Sequence, residues 1–376
     1  MANKDDSLLQ ASFIYYPTKD NPESRFANAN RYFQGISSIE RTSKGTFYVS
    51  FYGGMKTEES GNFVVVFRSR DPKSDFGEPW LAIEAPTPEC RTFDSCLWID
   101  PMNRLWIFYA QSYTYIDGRI GVWAAVCDDP DADEPHFSEP RRIANGVMMN
   151  KPTVLSSGEW LLPCAIWCDE FSDHNDLPEE RFSNVYCSWD NGNSFKLIGH
   201  SDYADRSTDE HMIVELKNGK LWMLIRGKHG IGQAFSDDKG YTWYDVAFSG
   251  IKNPCSRFHI RRLRSGRLLL INHKNYYGQD ENHVIAGFGR NNLTAMLSDD
   301  EGRTWSQGLL FEERDMCAYP DATETEDGRI FVVYDRERYA AREILIASFT
   351  EEDILAQKLV TEGSFVKSVI NHGAKV

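Results

Sequence analysis

The chain runs to 376 residues, 41% hydrophobic and 26% charged, with a net charge of −15. Such acidity argues against nucleic acid or an anionic membrane as the main partner, since like charge repels both; a local basic pocket for a small anion stays compatible with it. No run approaches the roughly 18 apolar residues of a membrane span. The opening MANKDDSLLQASF has neither the basic nor the apolar region of a leader, so a cytoplasmic location is expected, or a secreted or periplasmic one if a leader has been removed.

In chain order, six segments repeat one plan, a turn followed by a short apolar strand. They are SKGTFYVSFY (43–52), PMNRLWIFYA (101–110), SSGEWLLPCA (156–165), KNGKLWMLIR (217–226), RSGRLLLINH (264–273) and EDGRIFVVYD (326–335). The third position of each is a residue that accepts positive φ: Gly45, Asn103, Gly158, Gly219, Gly266 and Gly328. A tight hairpin requires such a residue. The interval is roughly 50 to 60 residues, as in propeller arrays. A short strand precedes each turn (ISSIER, CLWID, TVL, MIVEL, FHIRRL, ATETE), and another follows the hairpin (NFVVVFRS, GVWAAV, NVYCS, IGQAFS, LTAMLS, EILIASF). The rest of each copy supplies a fourth, outer strand. Short strands and no long amphipathic helix predict an all-β protein, a six-bladed β-propeller with four-stranded antiparallel blades in one domain over 1–376. A pair of β-sandwiches leaves six equivalent turns unexplained.

In copies three to five the third strand runs into related loops: SWDNGNSF (188–195), SDDKGYTW (236–243) and SDDEGRTW (298–305). The aspartate is suited to accept turn N–H groups and the glycine to take the left-handed conformation. The aromatic ring is suited to wedge between adjacent sheets. A calcium loop needs alternating oxygen ligands and a closing bidentate glutamate, and that pattern is absent. The loops resemble the Asp box of sialidase-type propellers, with Ser69-Arg70-Asp71 a degenerate first copy. The eight cysteines show neither CxxC nor zinc-type spacing, so no metal site or disulfide framework is expected, and Cys164 and Cys168 read as buried thiols. No GxGxxG or GxxxxGK[ST] cradle occurs, and no cofactor is expected.

Blade geometry sorts the loops onto two faces. The Asp boxes share one face with the glycine turns; the links between blades and the loops joining strands two and three share the other. Function belongs at convergent loop ends on a rigid scaffold. Strand-one starts there offer Arg31, Gln34, Arg91, Asp94, Lys151, Asp209-Glu210-His211, Arg257, Tyr319 and Asp321. Strand-two ends offer Tyr52, Trp167, Arg226, His273 and Asp335, the loop GGMKTEESGN adds Glu58 and Glu59, and Arg290 stands before LTAMLS. Cations, a few carboxylates and a tyrosine around one axis suit a carboxylated or sulfated sugar.

These residues resemble the sialidases (neuraminidases) over essentially the whole chain. In that family a glutamate opens strand one of blade four and an arginine ends strand two; DEHMIVELKNGKLWMLIR puts Glu210 and Arg226 there. A second arginine precedes an N-L-T run in blade five, matched by Arg290 in FGRNNLTAMLSDD, and a tyrosine opens blade six, matched by Tyr319 in AYPDATETEDG. Two positions depart. The first-blade arginine should fall around YFQGIS, where Gln34-Gly35 stands, leaving Arg31, Arg91 or Arg257 as substitutes. The acid/base aspartate of the first blade's loop is replaced by Glu58 or Glu59.

The resemblance implies an exo-glycoside hydrolase that removes a terminal sialic acid or related 2-keto-3-deoxy sugar acid from an acidic glycan. Tyr319 is then the nucleophile, Glu210 its base, and Glu58 (or Glu59) the acid/base. Arg226, Arg290, Arg257, Arg91, Gln34, Lys151, His211 and Asp321 are the candidate substrate contacts. Two other classes stay open. A propeller lyase acting on uronate glycans would employ the rim histidines His211 and His273, and a sugar-binding propeller without catalysis also fits the Asp boxes.

Overall fold

The computed structural model describes residues 10–17, 24–114, 120–167, 177–277 and 289–375. Six antiparallel sheets follow one another along the chain as blades around an axis. Their innermost strands are Phe33–Arg41, Cys90–Ile99, Thr153–Val154, Met212–Glu215, His259–Arg262 and Cys317–Glu324. Five blades have four strands in simple up-and-down order. The first has five, because Phe13–Tyr15 pairs with Leu81–Glu84 and covers the outer edge. Covering an edge in this way removes a row of unpaired backbone groups from the surface. Among the described residues a short α-helix, Glu351–Ala356, is held by a capping box between Thr350 and Asp353. No described helix is long and apolar enough to cross a membrane.

The expected glycine turns sit at the ends of the first hairpins, with φ of 94° at Gly45 and 78° at Gly328. All three Asp boxes make the same bonds. In the last, Ser298 Oγ donates to Asp300 Oδ1 at 2.8 Å and accepts from the Gly302 N–H at 2.8 Å. Asp300 also accepts from the Thr304 N–H and hydroxyl, at 2.8 and 2.6 Å. Each box sends its ring into the seam with the preceding blade. Phe195 joins the cluster of Trp98, Trp106 and Trp160, Trp243 joins Leu161 and Ile213, and Trp305 joins Trp222 and Leu270. At Ser69 the turn survives in part: its Oγ accepts from the Asp71 N–H, and Asp71 Oδ1 accepts from the Lys73 N–H.

The ring closes through carboxylates of blades six and one that bind across the seam between their strands. Asp321 Oδ2 accepts from Ser38 Oγ at 2.7 Å and the Ile39 N–H at 3.0 Å. Asp335 Oδ2 accepts from the Ile36 N–H at 2.7 Å, and Glu40 Oε2 from the Thr323 hydroxyl at 2.8 Å. Buried N–H groups that no neighbouring strand reaches are satisfied in this way.

Two stability predictions follow from the Asp-box seam. A β-carbon at Gly302 would lie 2.3 Å from the Trp222 ring at a φ of +83°, so Gly302→Ala is expected to cost about 2–3 kcal/mol. Gly328 has open space around it at a φ of +78°, and Gly328→Ala should cost only the backbone penalty of about 1 kcal/mol. Urea unfolding midpoints of the two variants test the difference. Acid is the second probe: bonds from the Ser194 and Thr304 hydroxyls hold Asp190 and Asp300 down to about 2. Their contribution is fully present above the unfolded-state value near 4 and is lost as pH falls through about 2; Asp300→Asn should flatten that acid limb.

Candidate active site

Three inner strands carry the same irregularity. Pairing skips between Gly35 and Ser38, between Phe93 and Cys96, and between Ala318 and Asp321, so two residues face one on the second strand. The first residue of each bulge is left-handed: Ile36 at φ 62°, Asp94 at 49° and Tyr319 at 56°. A bulge bends the strand and re-aims side chains, and here all three lie on the face where the sequence places function. In blade four the segment before the inner strand is left-handed at Thr208 and Asp209, just ahead of Glu210.

Blades four, five and six meet at Tyr319. Its hydroxyl donates to Glu210 Oε1 at 2.8 Å and accepts from Arg226 Nη1 at 3.0 Å. Arg226 Nη1 also pairs with Glu210 Oε1. Burial opposes the charge on Arg226 most strongly, but Glu210, Tyr319 and Cys255 together outweigh it and hold the guanidinium protonated. Burial pushes the Tyr319 phenol up to about 12, with Glu210 acting in the same direction, so at neutral pH the tyrosine is neutral. Arg290 lies 5.5 Å from the Tyr319 ring centre and donates to the Cys255 carbonyl at 3.1 Å, which Arg226 Nη2 also reaches at 3.1 Å.

The opposite wall comes from blades one and two. Glu58 Oε1 lies 3.7 Å from Arg338 Nη1, and Arg338 stands over the Tyr319 ring with its guanidinium carbon 4.2 Å from the centre. Asp94, at the second bulge, is 3% exposed. Desolvation, reinforced by the charge of Glu58, pushes its carboxyl up to about 8. Glu59 turns away: its carboxylate accepts from the Lys56 N–H at 3.0 Å and closes its own turn.

Several expected contacts have other settings. Gln34 is fully buried, accepting from Arg31 Nε and donating to the Arg342 carbonyl and Asn371, and so ties blade one to the last strand. Arg31 spends its guanidinium on Phe26, Asn28 and Asn371. Arg257 reaches Asn150, the Ser37 carbonyl and the Met149 carbonyl across the axis. Lys151 bridges Glu40 at 2.9 Å and Asp321 at 3.0 Å and donates to the Ile39 and Leu97 carbonyls. Together with His259, 3.2 Å from Asp321, these groups plug the channel beneath the site. A cavity of about 760 Å³ opens on the other side of the plug, bordered by Arg41, Arg261 and Glu324. The ring nitrogens of His211 lie 2.8 Å from the Asp209 and Asn184 carbonyls. Those of His273 meet the Asn291 carbonyl and Ser256 Oγ. Arg91 stacks 3.7 Å from the centre of the Phe93 ring at the wall of the site.

Seven described cysteines are free and buried; Cys168 lies outside the described residues. Among the described residues no group of three His, Cys, Asp or Glu is placed to hold a metal ion.

Residues 45–332 match the BNR repeat-like domain. The chain belongs to that family. Sialidases stand among the solved structures that share the fold of this BNR repeat-like chain. The Hadza microbial sialidase Hz136 matches with a TM-score of 0.62 and 15% identity, over 87% of this chain and 67% of that one. The leech intramolecular trans-sialidase complexed with 2,7-anhydro-Neu5Ac matches at 0.63 and 12%, over 93% and 71%. The intramolecular trans-sialidase from Ruminococcus gnavus in complex with oseltamivir carboxylate matches at 0.61 and 13%, over 91% and 98%. No curated protein matches the sequence.

Sequence reasoning placed Asp94 on the rim without a role and passed over Arg338, which sits in the loop after the second strand of blade six. Arg338, the second arginine of DRERY (335–339), carries no motif; only the fold brings it over Tyr319. The raised Asp94 value gives a test. A carboxyl that ionises near 4 unfolded and near 8 folded holds its proton more tightly in the native state, so its contribution to stability falls as pH rises from about 4 to 8. Asp94→Asn should remove that part of the decline, read as a smaller drop in thermal midpoint between about pH 5 and pH 8.

Proposed function

We propose that this protein is a sialidase-like exo-glycoside hydrolase acting on a terminal sialic acid or related 2-keto-3-deoxy sugar acid. One observation carries the reading: a buried tyrosine hydroxyl donates to a carboxylate at 2.8 Å and accepts from an arginine at 3.0 Å. The anomeric carbon of such a sugar bears a carboxylate, and an anionic nucleophile would be repelled there. A neutral phenol avoids the repulsion. Glu210 takes the Tyr319 proton as the oxygen bonds to the anomeric carbon, and Glu58 donates a proton to the departing glycosidic oxygen. The tyrosyl–sugar bond is then hydrolysed by a water that Glu58 deprotonates, and Glu210 returns the proton to Tyr319. Arg226 and Arg290 hold the substrate carboxylate while positive charge develops on the ring.

The plug at Lys151, Arg257 and Asp321 supports attack on a terminal residue, because the axis below the site is filled with side chains. A uronate lyase draws less support. His211 and His273 are buried with both ring nitrogens engaged, and burial pushes His273 down to about 3, so neither is poised to abstract a substrate proton.

Release of a fluorogenic aglycone from its sialoside tests the reading. Tyr319→Phe and Glu210→Gln should each lower kcat by about 100- to 10,000-fold, and Tyr319→Phe should nearly keep the thermal midpoint. Full hydrolytic rate in Tyr319→Phe would exclude the assignment. Binding without turnover in the parent protein would make it a sugar-binding propeller.

A further inference from the structure

We propose that Arg338, admitted by the missing side chain at Gly35, is a third ligand of the substrate carboxylate and sets the preference for acidic sugars. The inference rests on the sugar-acid reading above and assigns a residue that the sequence did not single out. Four observations converge on it.

The first is steric. A β-carbon at Gly35 would meet Arg338 Cγ, Cδ and Nε at 2.7 Å, so the arginine stem occupies the volume that a side chain at that position would fill. Gly35 is absent from the positive-φ glycines, so space rather than backbone conformation is what the glycine provides. The second is orientation. Arg338 Nε bonds both oxygens of Asp335 at 3.1 Å, and Asp335 itself takes the Ile36 N–H of the blade-one bulge. One edge of the guanidinium is thereby fixed against the scaffold.

The third is position. Arg338 stacks over the Tyr319 ring at 4.2 Å, and Arg290 approaches the same ring at 5.5 Å. With Arg226 on the hydroxyl, three guanidiniums surround one phenol. The fourth is unused capacity. Arg338 Nη2 is buried with no hydrogen-bond partner among the described residues, and its Nη1 lies 3.7 Å from Glu58, beyond hydrogen-bond distance. A buried donor left unmade is costly, and a planar fork anchored on one edge presents its unpartnered Nη2 to a carboxylate oxygen. Arg31 and Arg257, two of the arginines that could take the same role, spend donors on the scaffold.

The test is calorimetric titration of the intact protein with the 2,3-didehydro derivative of N-acetylneuraminic acid and with its methyl ester. The parent protein should bind the acid and bind the ester far more weakly. Arg338→Lys keeps a charge for Asp335 but loses the fork, and is expected to weaken the acid about 10- to 100-fold while barely changing the ester. Gly35→Ala leaves every charge in place and displaces Arg338; it should weaken the acid in the same selective way, and it serves if Arg338→Lys does not fold. Folded variants that keep the parental acid affinity and acid-to-ester ratio would overturn the role of Arg338 and leave the sugar-acid reading standing. A parent protein that binds neither compound would overturn both.

Discussion

A β-carbon at positive φ costs about 1–2 kcal/mol, and three inner strands accept that cost at Ile36, Asp94 and Tyr319. The surroundings hold each bulge in place. The single second-strand residues opposite the bulges are Phe51, Tyr109 and Tyr334, all fully buried. Asp335 captures the Ile36 N–H that the irregular pairing frees. Without the bulge in blade six, the pleat would run on regularly and Tyr319 would not meet Glu210 from blade four. Strain kept at a site by a rigid scaffold is a recurrent way of fixing chemistry.

Charge burial is the second constraint, and the two halves of the axis answer it differently. In the plug, burial opposes ionisation of Asp321, but Lys151 and its neighbours overcome this and hold the carboxylate well below its usual range. Burial keeps His259 neutral, at about 4. There cations and anions are matched and bonded to backbone from several blades, so the plug stabilises the ring. Around Tyr319 the matching is incomplete. Arg226 has Glu210 and Arg338 has Asp335, but Arg290 has only the Cys255 carbonyl among the described residues. A cluster with donors to spare suits an anion arriving from outside, in line with the proposed sugar-acid substrate.

The blades were legible in the sequence because a propeller repeats its turn chemistry. Glycine or asparagine before each second strand, and the Ser-Asp-Gly-aromatic loops, are local necessities visible without the fold. That Glu210, Arg226, Arg290 and Tyr319 come together was readable because their heights on the axis follow from blade register. The fifth strand of blade one was not foreseen, since the three residues Phe13–Tyr15 carry no turn signal of their own. Gln34, Lys151, Arg257, His211 and Asp321 have the right height on the axis but bond to the scaffold or the plug; periodicity gives the height and says nothing of which partner is nearer. Arg338 was invisible for the converse reason. Its reach over Gly35 depends on a left-handed Glu337, φ 47°, and on an empty β-carbon in another blade.

The position of a bound sugar carboxylate decides between these roles. A crystal structure with a bound 2-keto-3-deoxy sugar acid should place that carboxylate among Arg226, Arg290 and Arg338, with the anomeric carbon facing the Tyr319 hydroxyl. A carboxylate held elsewhere, such as among Arg41 and Arg261 in the cavity on the opposite face, would contradict it.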